Sequence, residues 1–238
     1  MLQRSTAFFA AAVLFTACGG SAGLPTATPS GATTTASAAP TAAATATATA
    51  PATTAGGNAR TWTVGAASKA TVSVREQLVG VSLPSDAVLV ATGAAGTFTL
   101  NGDLTFSTDS KITFDLTTLT SDSRDRDNFV KQDTLSVRQF PTATFVPKTT
   151  SGLSSLPASG AVTFKIAGDL TIHGKTKSVT FDVSATRTGA ELKATATLAP
   201  TVKFGDFGMS APSVPFRVVS VVDEIRLVVD LVANGAAA

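Results

Sequence analysis

Apolar and polar residues alternate along most of the chain after Arg60, with almost no helical periodicity. A repeat of two places neighbouring side chains on opposite faces of a strand, so each run predicts a strand with one apolar face. The clearest runs are ATVSVREQL, TFTLNGDLTF, KITFDL, AVTFKIAGDLTI, SVTFDVSA, ELKATATLA and EIRLVVDLV. We expect an all-β domain of about eight strands, mostly antiparallel because the connections between them are short.

Residues 122–145 interrupt this alternation and carry the densest charge of the chain. The acidic residues at the start of this segment are Asp122, Asp125 and Asp127. Carboxylates fit a helix start, where they cap free N–H groups and match the helix dipole. We therefore predict one short helical insertion in the β-domain. The apolar residues of the segment, which we expect to close one end of the core, are Phe129, Leu135 and Phe140.

Two closures of the strands agree with the alternation: a sandwich of two sheets or an up-and-down barrel. An eight-stranded barrel has an interior that side chains or one slender ligand can fill. Small residues recur on faces that otherwise carry bulky side chains, at Gly102, Gly168, Ala194 and Ala196. They either leave room for a ligand or suit tight packing, and we favour a barrel with an elongated apolar lumen.

The N-terminal residues 1–17 have the features of an export signal. Arg4 precedes the apolar run AFFAAAVLF, which is too short to span a bilayer as a permanent helix. Small residues before Cys18 resemble the lipobox of bacterial lipoproteins, in which cleavage leaves a lipid-modified cysteine, although Phe15 stands where Leu or Val is commoner. The alternative is an ordinary signal peptide followed by an unrelated cysteine. We expect an exported lipoprotein on the outer side of the cytoplasmic membrane, in the periplasm or at the cell surface.

Residues 18–59 form a separate segment by composition. After Cys18 they are Ala, Thr, Ser, Pro and Gly almost throughout, without a charged residue. Such a segment has too little apolar volume to offset chain entropy, so we predict a disordered linker that tethers a folded domain of residues 60–234.

Composition excludes several classes of function. The 18 basic and 16 acidic residues nearly cancel and are interspersed, so no nucleic-acid-binding surface is expected. One cysteine and one histidine exclude an intrachain disulfide and any site with several of these residues. The chain also lacks Gly-x-Ser-x-Gly, His-Glu-x-x-His and a phosphate-binding glycine loop. We therefore expect no enzyme, no metal and no cofactor.

Glu76 shares a strand face with Val72, Val74 and Leu78. A carboxylate among apolar neighbours needs a partner if that face is buried. The alternative is that this end of the strand is solvated.

Four segments together resemble the YceI-like polyisoprenoid-binding family. They are GDLTIHGKTKSVTFDV at residues 168–183, Arg126-Asp127, Gln139-Phe140-Pro141 through Phe145, and Asp206-Phe207-Gly208. The resemblance covers residues 62–232. It implies an exported protein with a lipocalin-like antiparallel barrel that holds an isoprenoid lipid, such as a polyprenyl phosphate or a quinone tail, in its lumen.

The resemblance and the apolar faces together give the expected site. The lumen residues are Phe98, Phe106, Phe114, Phe129, Phe140, Phe164, Ile166, Phe181 and Phe207. The expected head-group contacts are Arg124, Arg126, His173 and Glu76. At the barrel mouth an arginine fork would bind a phosphate or quinone oxygen. The alternative is that Arg126 pairs with Asp115 or Glu76 and pins the helix.

Two departures from the family pattern concern the head group. Glu76 stands where many members have a histidine after Ser-x-Val-x-Phe-x-Val, and Phe129 replaces the histidine of Arg-Asp-x-His-Leu. His173, at a predicted turn, fits a local hydrogen bond or a ligand contact better than a general base. The alternative function is a cell-surface structural or interaction module with a packed barrel and no ligand. The expected partners are thus an isoprenoid lipid and, through the anchor, a membrane, and the sequence allows a homodimer.

Overall fold

The computed structural model describes residues 59–235, so the predicted signal peptide, Cys18 and nearly all of the predicted linker lie outside the described residues. The strands are β1 Arg60–Val64, β2 Lys69–Leu78, β3 Ser85–Ala91, β4 Ala95–Leu100, β5 Lys111–Asp115, β6 Thr142–Ser151, β7 Ser159–Ile172, β8 Lys175–Thr188, β9 Glu191–Leu198 and β10 Val218–Gly235. The helix α1 is Arg124–Phe129, and a π-helical turn, Val130–Thr134, follows it. The 3₁₀ turns are Leu116–Thr118 and Phe204–Phe207.

Eight strands close into a ring. The strand order is β1-β4-β5-β6-β7-β8-β9-β10, every pair is antiparallel, and β1 pairs with β10 to complete the ring. The β2–β3 hairpin pairs with β10 from Val218 to Asp230, and a backbone pair between Val90 and Thr120 joins β3 to the segment before α1. The predicted all-β antiparallel eight-stranded barrel with a short helical insertion is confirmed.

The helix begins as the sequence predicts. Ser123 is the N-cap residue, and its side chain accepts a hydrogen bond from the backbone N–H of Arg126. Asp127 accepts two hydrogen bonds from Ser121, at 2.7 Å from its N–H and 2.6 Å from its hydroxyl. These side-chain acceptors satisfy N–H and O–H groups at the start of the helix.

The insertion is shorter than the predicted segment, because β6 already begins at Thr142. Its alternation Thr-Ala-Thr-Phe was hidden by the Phe140-Pro141 pair that precedes it. Phe145 therefore belongs to a barrel strand. The strand β3 was also missed, since its consecutive apolar residues Ala87–Ala91 do not show an alternation.

The predicted strand TFTLNGDLTF is wrong in its second half. The strand β4 ends at Leu100, and a turn follows in which Leu104 has φ of 65°. Asp103 accepts hydrogen bonds from the hydroxyl and the N–H of Thr105, and these contacts hold the pKa of Asp103 below its usual range. Gly102 is thus an exposed turn residue and leaves no room in a lumen.

One end of the barrel is filled by side chains. Trp62 on β1 is 1% exposed and stacks on Phe98 of β4 with ring centroids 5.5 Å apart. Arg187 of β8 is buried and donates hydrogen bonds to the carbonyls of Gly189 and Pro157. We call this the closed end.

Candidate ligand-binding cavity

The rest of the barrel interior contains a cavity of about 1000 Å³. The inward-facing side chains of eight strands form its wall, and β1 and β4 contribute none. Ala194 and Ala196 of β9 are part of this wall, so small residues on that strand do leave space. The wall is mostly aliphatic and aromatic, which suits an apolar ligand.

Four of the nine predicted lumen residues lie on the wall. They are Phe114 on β5, Phe129 at the end of α1, Ile166 on β7 and Phe181 on β8. Ile166 and Phe181 are direct neighbours in the β7–β8 pairing.

Three predicted lumen residues instead pack at or toward the closed end. Phe98 stacks on Trp62, and Phe106 contacts the edge of the Phe98 ring with centroids 6.3 Å apart. Phe164 lies on the same face of β7 as Ile166, but one pleat nearer the closed end, where it packs against the core. The alternation identified their inward faces correctly. It could not show where along the barrel the space ends.

Phe140, His173 and Phe207 form a packed cluster outside the cavity wall. The rings of Phe140 and His173 have centroids 4.8 Å apart, and His173 Nδ1 lies 3.3 Å from the carbonyl oxygen of Phe207. Phe207 is 0% exposed. Gly174 has φ of +70°, and a Cβ there would lie 2.6 Å from the Phe140 ring.

This cluster differs in place from what we expected. Phe140 and Phe207 lie outside the cavity wall, and so does His173, because each packs at the β7–β8 turn. Asp206 supports the same region through an ion pair with Lys177 at 2.5 Å and a hydrogen bond from the N–H of Lys203, and both contacts lower the pKa of Asp206. Three of the segments that carry the family resemblance are therefore structural here.

A largely buried ion pair is one polar contact of the wall. Arg126 Nη2 of α1 lies 2.7 Å from Glu76 Oε1 of β2, and the two side chains are 20% and 8% exposed. The other guanidinium nitrogen, Nη1, donates to Asp122. Both Arg126 and Glu76 line the cavity.

The pairing of Arg126 agrees with the alternative in which this arginine pins the helix. Asp115, the other expected partner, accepts hydrogen bonds from the hydroxyl and N–H of Thr117 at 2.6 and 2.8 Å, which lower its pKa. Arg124 is exposed and is not part of the wall, so the structure does not place it at the cavity.

Exposed wall residues mark the mouth of the cavity. They include Val79 and Val81 in the β2–β3 turn, Asp125 of α1, and Phe216 and Arg217 just before β10. Arg217 pairs with Asp125 at 2.7 Å. This ion pair connects α1 to the segment before β10 at the mouth.

Sequence reasoning missed wall residues on β3 and β6. Leu89 of β3 is 5% exposed and lines the cavity, and so does Phe145 of β6, whose ring contacts that of Phe181 with centroids 5.1 Å apart. A Cβ on Gly168 would lie 2.7 Å from the Phe145 ring, so this glycine makes space for Phe145 rather than for a ligand.

A closed antiparallel barrel with an apolar internal cavity and one buried ion pair at its wall defines a lipocalin-like binding barrel. The family model of the YceI-like domain matches residues 62–233, and the chain belongs to the YceI-like family. None of the helices within residues 59–235 has the length and apolar character needed to cross a membrane.

Two solved structures share this fold. A polyisoprenoid binding domain from Saccharophagus degradans, implicated in plant cell wall breakdown, superposes with a TM-score of 0.54 at 9% identity, covering 73% of this chain and 97% of that one. Burkholderia cenocepacia BcnA superposes with a TM-score of 0.53 at 21% identity, covering 72% and 99%.

A UPF0312 protein of Pseudomonas putida strain F1 is 35% identical over 110 residues, which are 43% of this chain and 54% of that protein. The match thus spans about half the length of that curated relative.

Proposed function

We propose that this protein binds an isoprenoid-type lipid in the barrel cavity and acts as a carrier or store rather than as an enzyme. The observation that carries the proposal is the cavity of about 1000 Å³ with a mostly apolar wall. Each CH₂ group removed from water contributes about 0.8 kcal/mol, so a long hydrocarbon chain binds there with few polar contacts. The solved relative from Saccharophagus degradans, described as a polyisoprenoid binding domain, supports the same class of ligand.

The charges at the wall favour a neutral head group. Arg126 already donates to Glu76 and Asp122, and Asp125 lines the mouth nearby. Asp125 itself pairs with Arg217, so a phosphate would meet two arginines whose charges are already compensated by carboxylates. Of the two head groups that we expected, a quinone ring is therefore preferred over a polyprenyl phosphate.

The ligand test is direct. The purified protein is extracted with organic solvent, and the extract is analysed by mass spectrometry for polyprenyl lipids. Stripped protein is then titrated with a prenylquinone and with a polyprenyl phosphate of equal chain length, and each ligand is scored by displacement of a fluorescent apolar probe. Binding of the quinone with the higher affinity is expected. An empty cavity that responds to neither ligand would refute the proposal.

We also propose that the protein is exported and held at a membrane through Cys18, with residues 18–59 as the linker. The apolar leader and the position of the single cysteine support this proposal. Mass spectrometry of the N-terminal peptide from membranes is expected to show an acylated Cys18, and Cys18→Ser is expected to release the protein. Recovery of unmodified Cys18 from the membrane fraction would contradict it.

The alternative, a structural or interaction module with a packed barrel, requires side chains that meet across the interior. The cavity disfavours it.

A further inference from the structure

The exposed large apolar side chains are concentrated at one place. Within residues 59–235, seven large apolar side chains are 43% or more exposed. One of them, Val88, lies on β3, apart from the others. The other six, which we call the apolar rim, are Val79, Val81, Leu83, Phe216, Val219 and Val222. Their two segments are held together by the pairing of Leu78 with Val218 and by a hydrogen bond from Val79 N–H to the Arg217 carbonyl.

The apolar rim is continuous with the cavity. Val79, Val81 and Phe216 also line the mouth, whereas Leu83, Val219 and Val222 lie outside the wall. Whatever covers the rim therefore also covers the entrance to the cavity.

Phe216 is the most exposed of the six, at 95%. Its φ of 66° lies in the left-handed region, which bulky residues rarely adopt. Hydrogen bonds from the N–H groups of Arg217 and Val218 to the Val214 carbonyl fix the surrounding turn. The backbone thus holds an aromatic ring in water, at a cost that an apolar environment would remove.

The charge around the rim matches a lipid surface. Residues 77–85 carry no charged side chain, and residues 211–222 carry only Arg217. Arg217 pairs with Asp125 of α1, so the exposed apolar side chains stand in surroundings with little net charge. Exposed apolar side chains without an excess of negative charge suit insertion at the boundary between head groups and acyl chains. A lipid ligand must also leave and enter a bilayer, so the mouth needs contact with one.

We infer that the apolar rim docks on a phospholipid bilayer, so that the cavity opens toward the acyl chains. This inference rests on the proposed lipid ligand and goes beyond it, because it assigns the route by which the ligand is exchanged.

The reach of the chain allows this orientation. The predicted linker leads into β1 at the closed end, where Trp62 pairs with Gly235, the last residue of β10. The rim lies at the opposite end, next to Val218, the first residue of β10. A strand of 18 residues spans at most about 60 Å. Residues 18–59 reach up to ~140 Å when extended. A barrel anchored through Cys18 can therefore turn its mouth to the same membrane.

Vesicle binding tests the inference. The mature chain from residue 18, carrying Cys18→Ser so that no acyl anchor contributes, is sedimented with phosphatidylglycerol and phosphatidylethanolamine vesicles. The variant Leu83→Ser/Val219→Ser/Val222→Ser changes only rim residues outside the cavity wall, and Val88→Ser is the matched control. We expect the triple variant to lose about tenfold or more in vesicle binding and Val88→Ser to lose none.

Two further measurements separate this inference from the proposed function. Prenylquinone binding in detergent is expected to be equal in the triple variant and the parent, whereas transfer from vesicles is expected to slow. If neither the parent nor the triple variant binds quinone while the parent still binds vesicles, the proposed lipid ligand is refuted and the docking is not. Equal vesicle binding by parent and triple variant, or a dimer in sedimentation analysis that the triple variant abolishes, would overturn the docking.

Discussion

Arg126 of α1 and Glu76 of β2 form a 2.7 Å ion pair at the cavity wall, and this contact joins the helical insertion to the barrel. The two residues are 50 positions apart in sequence. Glu76 is 8% exposed, so the arginine is the partner of a carboxylate that has little contact with water. Many family members have a histidine at the position of Glu76. In this chain the glutamate at that position is held by an arginine of the helix.

Removal of one member of this pair is expected to destabilise the barrel. Arg126→Met leaves the Glu76 carboxylate buried among apolar side chains, and we expect a loss of about 3 kcal/mol in the free energy of unfolding. Urea denaturation measures it. Arg126→Met/Glu76→Leu is expected to recover most of the loss, because no unpaired charge remains.

Arg124→Met is the matched control, since Arg124 is exposed in the same helix and makes no ion pair among the described residues. Equal stability of the Arg126 and Arg124 variants would show that the pair does not hold the helix in solution.

Filling the cavity is expected to weaken ligand binding while the fold is kept. Ala196 of β9 lines the cavity, so the ring in Ala196→Phe occupies space that the ligand needs. We expect at least about a tenfold loss of prenylquinone affinity, with little change in the melting temperature because open space receives the ring. Probe displacement and thermal unfolding measure the two quantities.

Thr197→Phe is the control, because Thr197 is exposed on the neighbouring position of the same strand and does not line the cavity. Equal affinity in Ala196→Phe and Thr197→Phe would mean that the ligand does not occupy the barrel interior.

Much of the fold is predictable from the chain because period-two alternation was clear in β7, β8 and β9. The strand β3 and the start of β6 were not predictable, because a run of apolar residues in β3 and a Phe-Pro pair before β6 obscure the alternation. Local pattern does fix which face a residue such as Phe164 presents. It does not fix how far the packed core extends along the barrel axis.

The candidate site was less predictable, because its polar contacts are formed between distant segments. The pairing of Arg126 with Glu76 rather than Asp115 depends on how α1 crosses the barrel. His173 looked accessible as a turn residue, yet its contacts with Phe140 and Phe207 come from two other loops. No spacing in the sequence shows these contacts.

The stability of the β2–β3 hairpin is expected to depend on pH through Asp86. This carboxylate accepts hydrogen bonds from Arg226 at 2.7 Å and Arg75 at 3.2 Å, and these contacts lower the pKa of Asp86. Because the pKa of Asp86 is lower in the folded state, its carboxylate stabilises the fold at pH values above its unfolded-state pKa of about 3.9. This stabilisation disappears as the pH falls through the folded-state pKa.

The comparison of the parent protein with Asp86→Asn over a series of pH values tests this sign. The parent is expected to be more stable at pH 6, and the difference is expected to shrink as the pH is lowered below about 4. Asp109→Asn is the control, because Asp109 is exposed and forms no ion pair within residues 59–235. A stability difference that persists unchanged in acid would exclude the carboxylate charge as its source.

The glycine at position 168 is expected to resist replacement even by alanine. A Cβ there would lie 2.4 Å from the carbonyl oxygen of Val146 and 2.7 Å from the Phe145 ring. The ring can turn into the cavity, but the carbonyl moves only if β6 shifts as a strand. Gly168→Ala is therefore expected to cost about 2 kcal/mol in the free energy of unfolding and to weaken quinone binding.

Gly205→Ala provides the comparison, because a Cβ on Gly205 meets nothing within 4 Å. We expect it to leave both the unfolding free energy and the quinone affinity close to those of the parent. In Gly168→Ala/Phe145→Leu the ring contact is relieved while the backbone contact remains, so only part of the stability is expected to return. If the double variant were as stable as the parent, the Phe145 ring alone would explain the need for glycine, and the close approach of β6 and β7 would not be required.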